Sequence, residues 1–434
     1  VQPPGPPLGR RLARAALCRL RKGDRMKPKK IALLWAEPSL GLYGNRSFDA
    51  LFKGFGHNSG NLAFVYAIGS QLVGNITYLP WGSRKERLAS FDVIVVPCAN
   101  QLGKQTDLGA LGELWASFEK PIVAIGLGAQ AKTFEDDIEV TDGTLSWART
   151  VAAQAPGSAS NIWARGPYTV RQLARLGIPA AVVGGCPSHF INQTTDLGRR
   201  IARAWKANPV PRGITVAAGH QSWAEIRTIE QQLIGLMQDM VHDGQYVTQS
   251  AQDMIRISRG EFDEIQPDVL KRIRNHVAPH LSDDEFRSWC RRYARTYYDI
   301  PAWMESLRRH DLTIGPRYHG TALALQAERM GACVTFDSRT EEMCAQTGVP
   351  FLRAKDLADK PLTRATLKKL IEFDAEAYDA QRAERAGAYV AFLEANGLEA
   401  KDYLKKIAAG PARPAPAQPA GDAPQPSPAG VSAS

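Results

Sequence analysis

The segment "HDLTIGPRYHGTALALQAERMGACVTFDSRT", residues 310–340, shows the pattern from which the fold of this chain is predicted. It holds an apolar run, "DLTIGP", then a helix-like stretch, "TALALQAERMG", and then a second apolar run, "CVTFDS". Continuous apolar runs of this length predict strands buried on both faces, and a helix between two of them predicts parallel pairing. The motif Arg317-Tyr318-His319-Gly320 stands where the first run ends. An ordinary strand-to-helix turn needs glycine and a capping residue, so we expect this turn to bind charge.

The same alternation continues on both sides of this segment. Runs such as "KIALLWAE", "FDVIVVPCAN" and "PIVAIGLGAQ" alternate with helical stretches from Lys30 to about Gly185. Two prolines interrupt the pattern near "ARAWKANPVPRG", and a second set of runs begins with "GITVAAGH". The pattern predicts an α/β fold with two Rossmann-like open-sheet domains facing a cleft, a GT-B-like architecture, followed by a helical C-terminal region.

The composition shifts predict where these units begin and end. Residues 1–26 read as a flexible leader, because Met26 looks like a natural start, although a basic amphipathic membrane-surface segment is the alternative. A tail rich in Pro and Ala cannot form a core. The predicted units are 1–26, leader; 27–202, N-terminal α/β domain; 203–213, linker; 214–360, C-terminal α/β domain with a helical insert at 253–309; 361–409, C-terminal helices; and 410–434, disordered tail.

Length and composition exclude several classes of protein. The 434 residues, with 44% hydrophobic and 23% charged, fit about two globular domains. No apolar window is long enough for a transmembrane helix. The net charge of +10 favours anionic partners, but the basic residues are spread along the chain without a nucleic-acid-binding signature. The six cysteines form no CxxC pair, which predicts reduced thiols in a cytoplasm and argues against zinc.

Arg317 and His319 are the strongest candidates for binding an anion. If residues 316–319 stay extended, the two side chains point to the same side of the chain. Gly320 then allows the turn, and a helix beginning near Thr321 offers free backbone N–H groups. A guanidinium, an imidazole and a helix N-terminus together suit a phosphate or a carboxylate. The alternative is that Arg317 pairs with a buried carboxylate and His319 hydrogen-bonds a carbonyl.

Further candidates follow other predicted strands, because ligands of open α/β sheets bind at the carboxyl ends of the strands. Arg165 precedes a helix that starts at Pro167, where it would clamp an anion or form a salt bridge within its domain. A polar loop near the first strand would form a turn and a helix cap or hold the hydroxyls of an acceptor. No spacing supports a nucleophilic pair of Cys186 with a histidine, so we predict no catalytic cysteine. The remaining candidates are His57, Asn58 and Asn61 in that loop, Gln130, Asp337, Arg339 and Glu342.

Four stretches resemble the polysaccharide pyruvyltransferase family. They are "GHNSGNLAFVYAI", "IVAIGLGAQA", "RGPYTVRQLARLGIPAAVVGGCPS" and "LTIGPRYHGTALALQAERMGACVTFDSRTEEMCAQTGVPF", and the resemblance covers roughly residues 30–355. It implies a GT-B-like fold and the transfer of a pyruvyl group from phosphoenolpyruvate onto sugar hydroxyls of a cell-surface polysaccharide or its lipid-linked precursor. The chain departs from many members at Asn61, where they have an acidic residue, and at Gly185-Cys186-Pro187, where they have Gly-Asp-Pro.

The resemblance implies roles for Arg317 and His319, and the chemistry of the transfer suggests roles for the other candidates. Arg317 and His319 match the donor-site arginine and histidine, and both would be catalytic, with His319 as the general acid because its ordinary pKa is about 6.5. Asp337 and Glu342 would orient His319 or the donor. No metal and no cofactor beyond the donor substrate are expected. The residues that contact the donor would be Arg165, Arg317, His319, Gly320, Thr321 and Arg339. The residues that contact the acceptor or support the site would be His57, Asn58, Asn61, Gln130, Asp337 and Glu342.

Two other functions fit the same residues. A GT-B glycosyltransferase would bind the diphosphate of a nucleotide sugar at Arg317 and His319, and a non-catalytic scaffold would bind a glycan or an anion there. The basic charge favours a cytoplasmic enzyme at the inner face of the cell membrane, with peripheral membrane contact and no nucleic acid.

Overall fold

The computed structural model describes residues 27–38, 46–131, 133–157, 160–238 and 241–411. The predicted leader, residues 1–26, and all but the first two residues of the predicted tail lie outside the described residues. Within the described ranges, no helix is both long enough and apolar enough to span a membrane.

The first half of the chain builds a parallel sheet of six strands in the order β3-β1-β4-β5-β6-β7. Its central strand β4 is buried along its whole length, as its continuous apolar run predicts. The strands of this half are β1 (Lys30–Leu34), β2 (Leu72–Val73), β3 (Asn75–Leu79), β4 (Val93–Pro97), β5 (Ile122–Leu127), β6 (Ile162–Ala164) and β7 (Ala181–Val183).

The second half builds another six-stranded parallel sheet, in the order β10-β9-β8-β11-β12-β13. Its strands are β8 (Ile214–Ala217), β9 (Gln245–Val247), β10 (Ala294–Arg295), β11 (Leu312–Gly315), β12 (Met330–Thr335) and β13 (Phe351–Arg353), and β14 (Glu399–Ala400) follows outside the sheet. Two parallel sheets with helices between their strands confirm the prediction of two Rossmann-like open-sheet domains.

Helices connect the strands of both sheets and close the chain. Those of the first half are Phe48–Gly54, Asn61–Gln71, Lys85–Leu88, Gly109–Ala116, Asp142–Ala153, Pro167–Arg175 and Leu197–Lys206. Those of the second half are Arg227–Met237, Gln252–Arg259, Pro267–Val277, Asp283–Tyr293, Ile300–Leu307, Tyr318–Gln326, Ser338–Thr347 and Ala354–Leu357. The last three are Arg364–Leu370, Ala375–Ala395 and Asp402–Ala408. The single-turn 3₁₀ segment Pro187–Phe190 packs on the helix Ala375–Ala395, where the rings of Phe190 and Tyr389 stack.

Each sheet has one point where the strand order reverses. In the first sheet it lies between β1 and β4, and in the second it lies between β8 and β11. Ligands of open α/β sheets bind in the crevice at the carboxyl ends of the strands on either side of such a point. The fold therefore supplies two places for ligands, one in each half of the chain.

Two predicted boundaries differ from the structure. The helix Leu197–Lys206 runs through the first four residues of the predicted linker 203–213, because its apolar stripe continues to that point and the prolines come later. The insert 253–309 is not wholly helical, since it contributes the edge strand β10 to the second sheet.

The C-terminal helices return to the first half of the chain. Strand β14 pairs antiparallel with β2, and Tyr389 of the long helix Ala375–Ala395 packs its ring 5.0 Å from that of Trp163. Arg382 of the same helix donates to the backbone carbonyls of His189 and Thr194. The C-terminal region thus packs against the first half of the chain and binds the backbone of His189 and Thr194, which follow the first sheet.

Candidate functional site

The helix after β11 begins three residues earlier than the sequence predicts. Gly315 has a φ of 151°, and a Cβ there would lie 2.2 Å from the carbonyl oxygen of Ala217. The backbone therefore turns at Gly315, and the helix begins at Tyr318 with Arg317 as its extended N-cap. The expectation that residues 316–319 are extended and that Gly320 makes the turn is wrong. The sequence signal was ambiguous because both glycines flank the motif.

The early turn changes the environment of the motif's later residues. His319 lies in the first turn of the helix rather than on a strand. The hydroxyl of Thr321 donates to the carbonyl of Tyr318 at 2.9 Å, within the first turn of the helix. Gly320 allows close packing, because a Cβ there would lie 2.6 Å from Nε2 of Gln249.

Arg317 is held on an aromatic ring with part of its guanidinium unpaired. Its guanidinium carbon lies 4.3 Å from the centre of the Trp223 ring. Its Nε is buried and donates to no acceptor among the described residues. Burial and the nearby Arg339 lower the pKa of Arg317 to about 10, while Glu230 and Asp337 act in the opposite direction. The alternative of a hydrogen-bonded buried carboxylate partner is therefore not what the described residues show.

Glu230 is a buried carboxylate in the helix after β8. It accepts hydrogen bonds from the backbone N–H of Gly219 at 2.9 Å and from the Tyr246 hydroxyl at 2.7 Å. Nε2 of His276, from the insert, lies 3.1 Å from its other oxygen. Its negative charge favours the charged form of Arg317. His276 of the insert thus contacts the carboxylate of Glu230, whose negative charge opposes the positive charge of Arg317.

Arg165 and Arg339 complete an arginine cluster, which we define as Arg165, Arg317 and Arg339. Arg165 is 2% exposed and donates to the carbonyl of Gly126 at 2.8 Å and to Oδ1 of Asn100 at 3.1 Å. These bonds hold the Arg165 side chain within its own half of the chain by neutral acceptors rather than by a salt bridge. Nε of Arg339, like that of Arg317, is buried without an acceptor among the described residues.

The cluster carries concentrated positive charge across the cleft. Arg339 lowers the pKa of both Arg165 and Arg317, in each case after the larger effect of burial. Sδ of Met343, from the second half, lies 3.5 Å from a terminal nitrogen of Arg165 and joins the two halves at this point. Buried donors without acceptors are rare in proteins and need a reason. An anion between the halves of the chain would accept hydrogen bonds from Arg317 and Arg339. It would also reduce the repulsion among the three arginines of the cluster.

His319 is buried beside the cluster, at 7% exposure. Its Nε2 lies 3.5 Å from Sγ of Cys186, and its ring centre lies 5.6 Å from that of Phe64. Burial, then Arg165 and Arg339, hold the pKa of His319 well below its ordinary value. The premise of an ordinary pKa near 6.5 is therefore wrong, and so is the alternative of a carbonyl partner for this nitrogen.

The Cys186–His319 pair is a contact that the sequence could not show, because its partners are far apart in the chain and come from different halves. Burial raises the pKa of the Cys186 thiol, although Arg165 opposes the change. The thiol is therefore not activated as a thiolate nucleophile. At this contact His319 faces a thiol rather than a carboxylate.

Asp337 and Glu342 bond to helix starts and to the other half of the chain. Asp337 caps the helix Ser338–Thr347 by accepting from the N–H of Thr340 at 2.8 Å, and it also accepts from Gln130 at 3.2 Å. Oε1 of Glu342 accepts from the N–H of Tyr168, at the start of the helix Pro167–Arg175. Each carboxylate has helix N–H groups as partners, which satisfy a negative charge well. Neither orients His319 by a hydrogen bond, and both instead tie the two halves together.

The polar loop near the first strand is mostly engaged in its own turn. Asn61 donates to the carbonyls of Phe55 and Gly56 at 3.1 and 3.2 Å, and Asn58 accepts from the N–H of Gly60 at 2.9 Å. These bonds match the interpretation as a turn. His57 has a φ of 62° and its ring packs 4.8 Å from that of Phe52.

Two residues near the cluster were missed as candidates. Trp223 lies in the loop after β8 and supports Arg317. Gln249 follows β9, is 2% exposed, and its Nε2 has no acceptor among the described residues. The strand-end signal does mark Gln249, which was not carried into the candidate site, whereas a tryptophan three residues beyond His220 carries no such signal.

Comparison with known proteins gives one family. A family model described as polysaccharide pyruvyl transferase matches residues 27–338. No curated protein matches the chain. Among solved structures, the UDP-GlcNAc 2-epimerase of Methanocaldococcus jannaschii, in complex with UDP-GlcNAc and UDP, is 10% identical, with 83% of this chain and 99% of that chain covered and a TM-score of 0.36. The UDP-GlcNAc 2-epimerase of Neisseria meningitidis, bound to UDP-GlcNAc, is 10% identical, with 85% and 100% covered and a TM-score of 0.39. Likeness of this degree supports no inference about function.

Proposed function

This chain belongs to the polysaccharide pyruvyl transferase family, and from that premise we propose that it transfers a pyruvyl group from phosphoenolpyruvate to two hydroxyls of one sugar, forming a pyruvate ketal. The observation that carries the proposal is the pair of buried Nε donors, on Arg317 and Arg339, that lack acceptors among the described residues. Phosphoenolpyruvate offers two anionic groups, a carboxylate and a phosphate, to such donors.

Charge supports this assignment. The donor carries about three negative charges at neutral pH, and the arginine cluster carries three positive ones. Binding would exchange repulsion among the arginines for attraction to the donor, in a site largely closed to water. The helix that begins at Tyr318 adds its N-terminal N–H groups on the same side.

The reaction balances with the donor and the sugar alone. A proton adds to the methylene carbon of phosphoenolpyruvate, and the first sugar hydroxyl bonds to C2 and loses its proton. The C–O bond to phosphate then breaks, phosphate leaves, and the second hydroxyl bonds to C2 and loses its proton. One of the two hydroxyl protons replaces the one added to carbon, and the other leaves with phosphate.

His319 is our candidate for the acid that protonates the methylene carbon. In the absence of the donor its pKa is low, so the imidazole is neutral at pH 7. Bound phosphoenolpyruvate would place negative charge beside it and offset Arg165 and Arg339, which raises the pKa. We infer that the donor brings its own acid into the protonated state, and that proton uptake accompanies donor binding.

We place the acceptor on the first half of the chain and the reaction at the inner face of the cell membrane. The acceptor would be a polysaccharide sugar or a lipid-linked precursor. The net charge of +10 supports contact with an anionic lipid surface.

A thermal-shift titration tests the donor assignment. We expect phosphoenolpyruvate to raise the Tm of the wild type, since a ligand that binds only the folded state stabilises it. Arg317→Ala should abolish the rise, and His319→Ala should reduce it. Trp205→Ala, which changes a partly exposed ring away from the cluster, is the control and should keep the full rise.

Nucleotide sugars are the second arm of this titration. A clear rise in Tm with a nucleotide sugar and none with phosphoenolpyruvate would replace the pyruvyl donor by a glycosyl donor. A rise with phosphoenolpyruvate that Arg317→Ala leaves unchanged would move the donor away from the arginine cluster.

A further inference from the structure

A cavity of about 730 Å³ lies at the carboxyl ends of β1, β3 and β4. This is the place where the strand order of the first sheet reverses, so the fold itself favours a ligand there. The volume falls within the range of about 300–1,000 Å³ that small-molecule sites of proteins occupy. The arginine cluster contributes no residue to its lining, which makes it a separate site.

The walls of the cavity combine aromatic rings with amides. Trp35, Tyr78 and Trp81 line it, together with Asn100 and Gln101. Flat apolar rings beside a few polar groups suit a ligand with one apolar face and several hydroxyls. A pyranose ring has this character, because its C–H bonds project from one face and its hydroxyls from its edge.

The rings of the aromatic wall pack against one another and against neighbouring rings. The rings of Trp35 and Trp81 meet edge to face with centres 5.8 Å apart. Trp81 also stacks on Trp147 at 6.1 Å, and its carbonyl accepts from the indole of Trp115 at 3.2 Å. A ligand that stacks there would therefore pay little for ordering the side chains.

The cavity borders the arginine cluster through two residues. Asn100 lines the cavity and accepts from Arg165 at 3.1 Å. Phe64 lies between the two sites, with its ring centre 5.5 Å from Trp35 and 5.6 Å from His319. A ligand on the aromatic wall thus ends close to the place where the anion would bind.

From these contacts we propose that the cavity binds the acceptor as a pyranose glycan, with a sugar ring stacked on the wall of Trp35, Tyr78 and Trp81 and hydroxyls directed to Asn100. Only the role of the glycan as the acceptor rests on the proposed function. The binding of a glycan in the cavity does not depend on that function. The aromatic wall selects for the sugar face, and Asn100 positions the hydroxyls toward the arginine cluster.

Binding to an array of pyranose oligosaccharides tests the proposal, using wild type, Trp81→Ala and the matched control Trp205→Ala. We expect the wild type and Trp205→Ala to bind the same glycans and Trp81→Ala to bind them on the order of tenfold more weakly. Because Trp81→Ala removes packing around Trp115 and Trp147, the wild type is also tested by saturation-transfer NMR with a glycan from the array. Saturation of the protein's aromatic protons should reach the C–H protons of one face of the sugar.

The proposal is overturned if the wild type binds none of the glycans on the array. It is also overturned if Trp81→Ala binds as strongly as the wild type, or if no saturation passes from aromatic protons of the protein to the sugar. The donor titration separates this failure from failure of the proposed function. A Tm rise with phosphoenolpyruvate without glycan binding would retain the donor and reject the cavity as the acceptor site. Glycan binding without that rise would retain the glycan site and reject the donor.

Discussion

His319 is the residue whose chemistry depends most on its neighbours. It is buried between two arginines and a thiol, and its pKa is held well below the ordinary value mainly by burial. A carboxylate at the contact now made by Cys186 would instead stabilise the protonated ring. Because the thiol is uncharged, an anion that binds the arginine cluster would control the protonation of His319.

Substituting Cys186 tests this dependence. Cys186→Asp should raise the pKa of His319 by about one unit or more, because it places a negative charge near Nε2 and because Arg165 keeps the new carboxyl ionised. Cys186→Ser, similar in size and uncharged, should leave the pKa low. The measurement is an NMR titration of isotope-labelled histidine, with His319→Gln to assign the signal. A low pKa retained in Cys186→Asp would show that burial alone controls the ring.

Addition of phosphoenolpyruvate to the wild type belongs in the same titration. Its negative charge should move the His319 signal toward the protonated form at constant pH. An unchanged signal with donor bound would remove His319 as the acid of the proposed reaction.

At the scale of elements, the turn from β11 into the helix Tyr318–Gln326 decides where the charged groups stand. It depends on the positive φ of Gly315 and on its close approach to Ala217. Gly315→Ala should lower the free energy of unfolding by at least about 2 kcal/mol, since it adds backbone strain and a clash with a carbonyl. Gly235→Ala is the matched control, because this exposed helical glycine has no atom near the new Cβ. It should raise the free energy of unfolding by about 0.5–1 kcal/mol.

Chemical denaturation of the two variants measures both effects. A Gly315→Ala protein as stable as wild type would mean that the turn adjusts freely and that Arg317 is not fixed by it.

The elements were predictable where a run of apolar residues marks them. The strands β4, β5 and β11 follow such runs, and Pro167 marks the start of its helix. The position of the turn before Tyr318 was not predictable, because Gly315 and Gly320 offer the same local freedom and only the contact with Ala217 distinguishes them. The partner of Glu342 was not predictable for a similar reason, since it is the start of a helix in the other half of the chain.

On the scale of the whole molecule, loops that follow strands of the two sheets meet across the cleft. The N–H of Ser59 donates to the carbonyl of Gln249 at 2.8 Å, and Ser338 donates to the carbonyl of Ala131 at 2.8 Å. These contacts and the bonds of Glu342 hold the aromatic cavity beside the arginine cluster. Sequence periodicity predicts two sheets, but it contains no information on how their ends face each other.

The whole-molecule charge predicts membrane contact. Residues 1–25 hold seven Lys and Arg and one Asp, and so carry +6 of the net charge of +10. We expect the full chain to sediment with vesicles of anionic phospholipid at low salt, and a chain beginning at Met26 to do so less. Added salt should release the protein, because screening weakens the attraction. Equal sedimentation with neutral and anionic vesicles would contradict a role for charge.

We propose above all that the arginine cluster binds phosphoenolpyruvate between the two halves of the chain. The decisive experiment is a crystal structure of the protein with phosphoenolpyruvate. We expect the donor's phosphate and carboxylate to accept hydrogen bonds from Arg317 and Arg339, with the methylene carbon facing His319. Donor bound elsewhere, with both Nε atoms still without an acceptor, would contradict it.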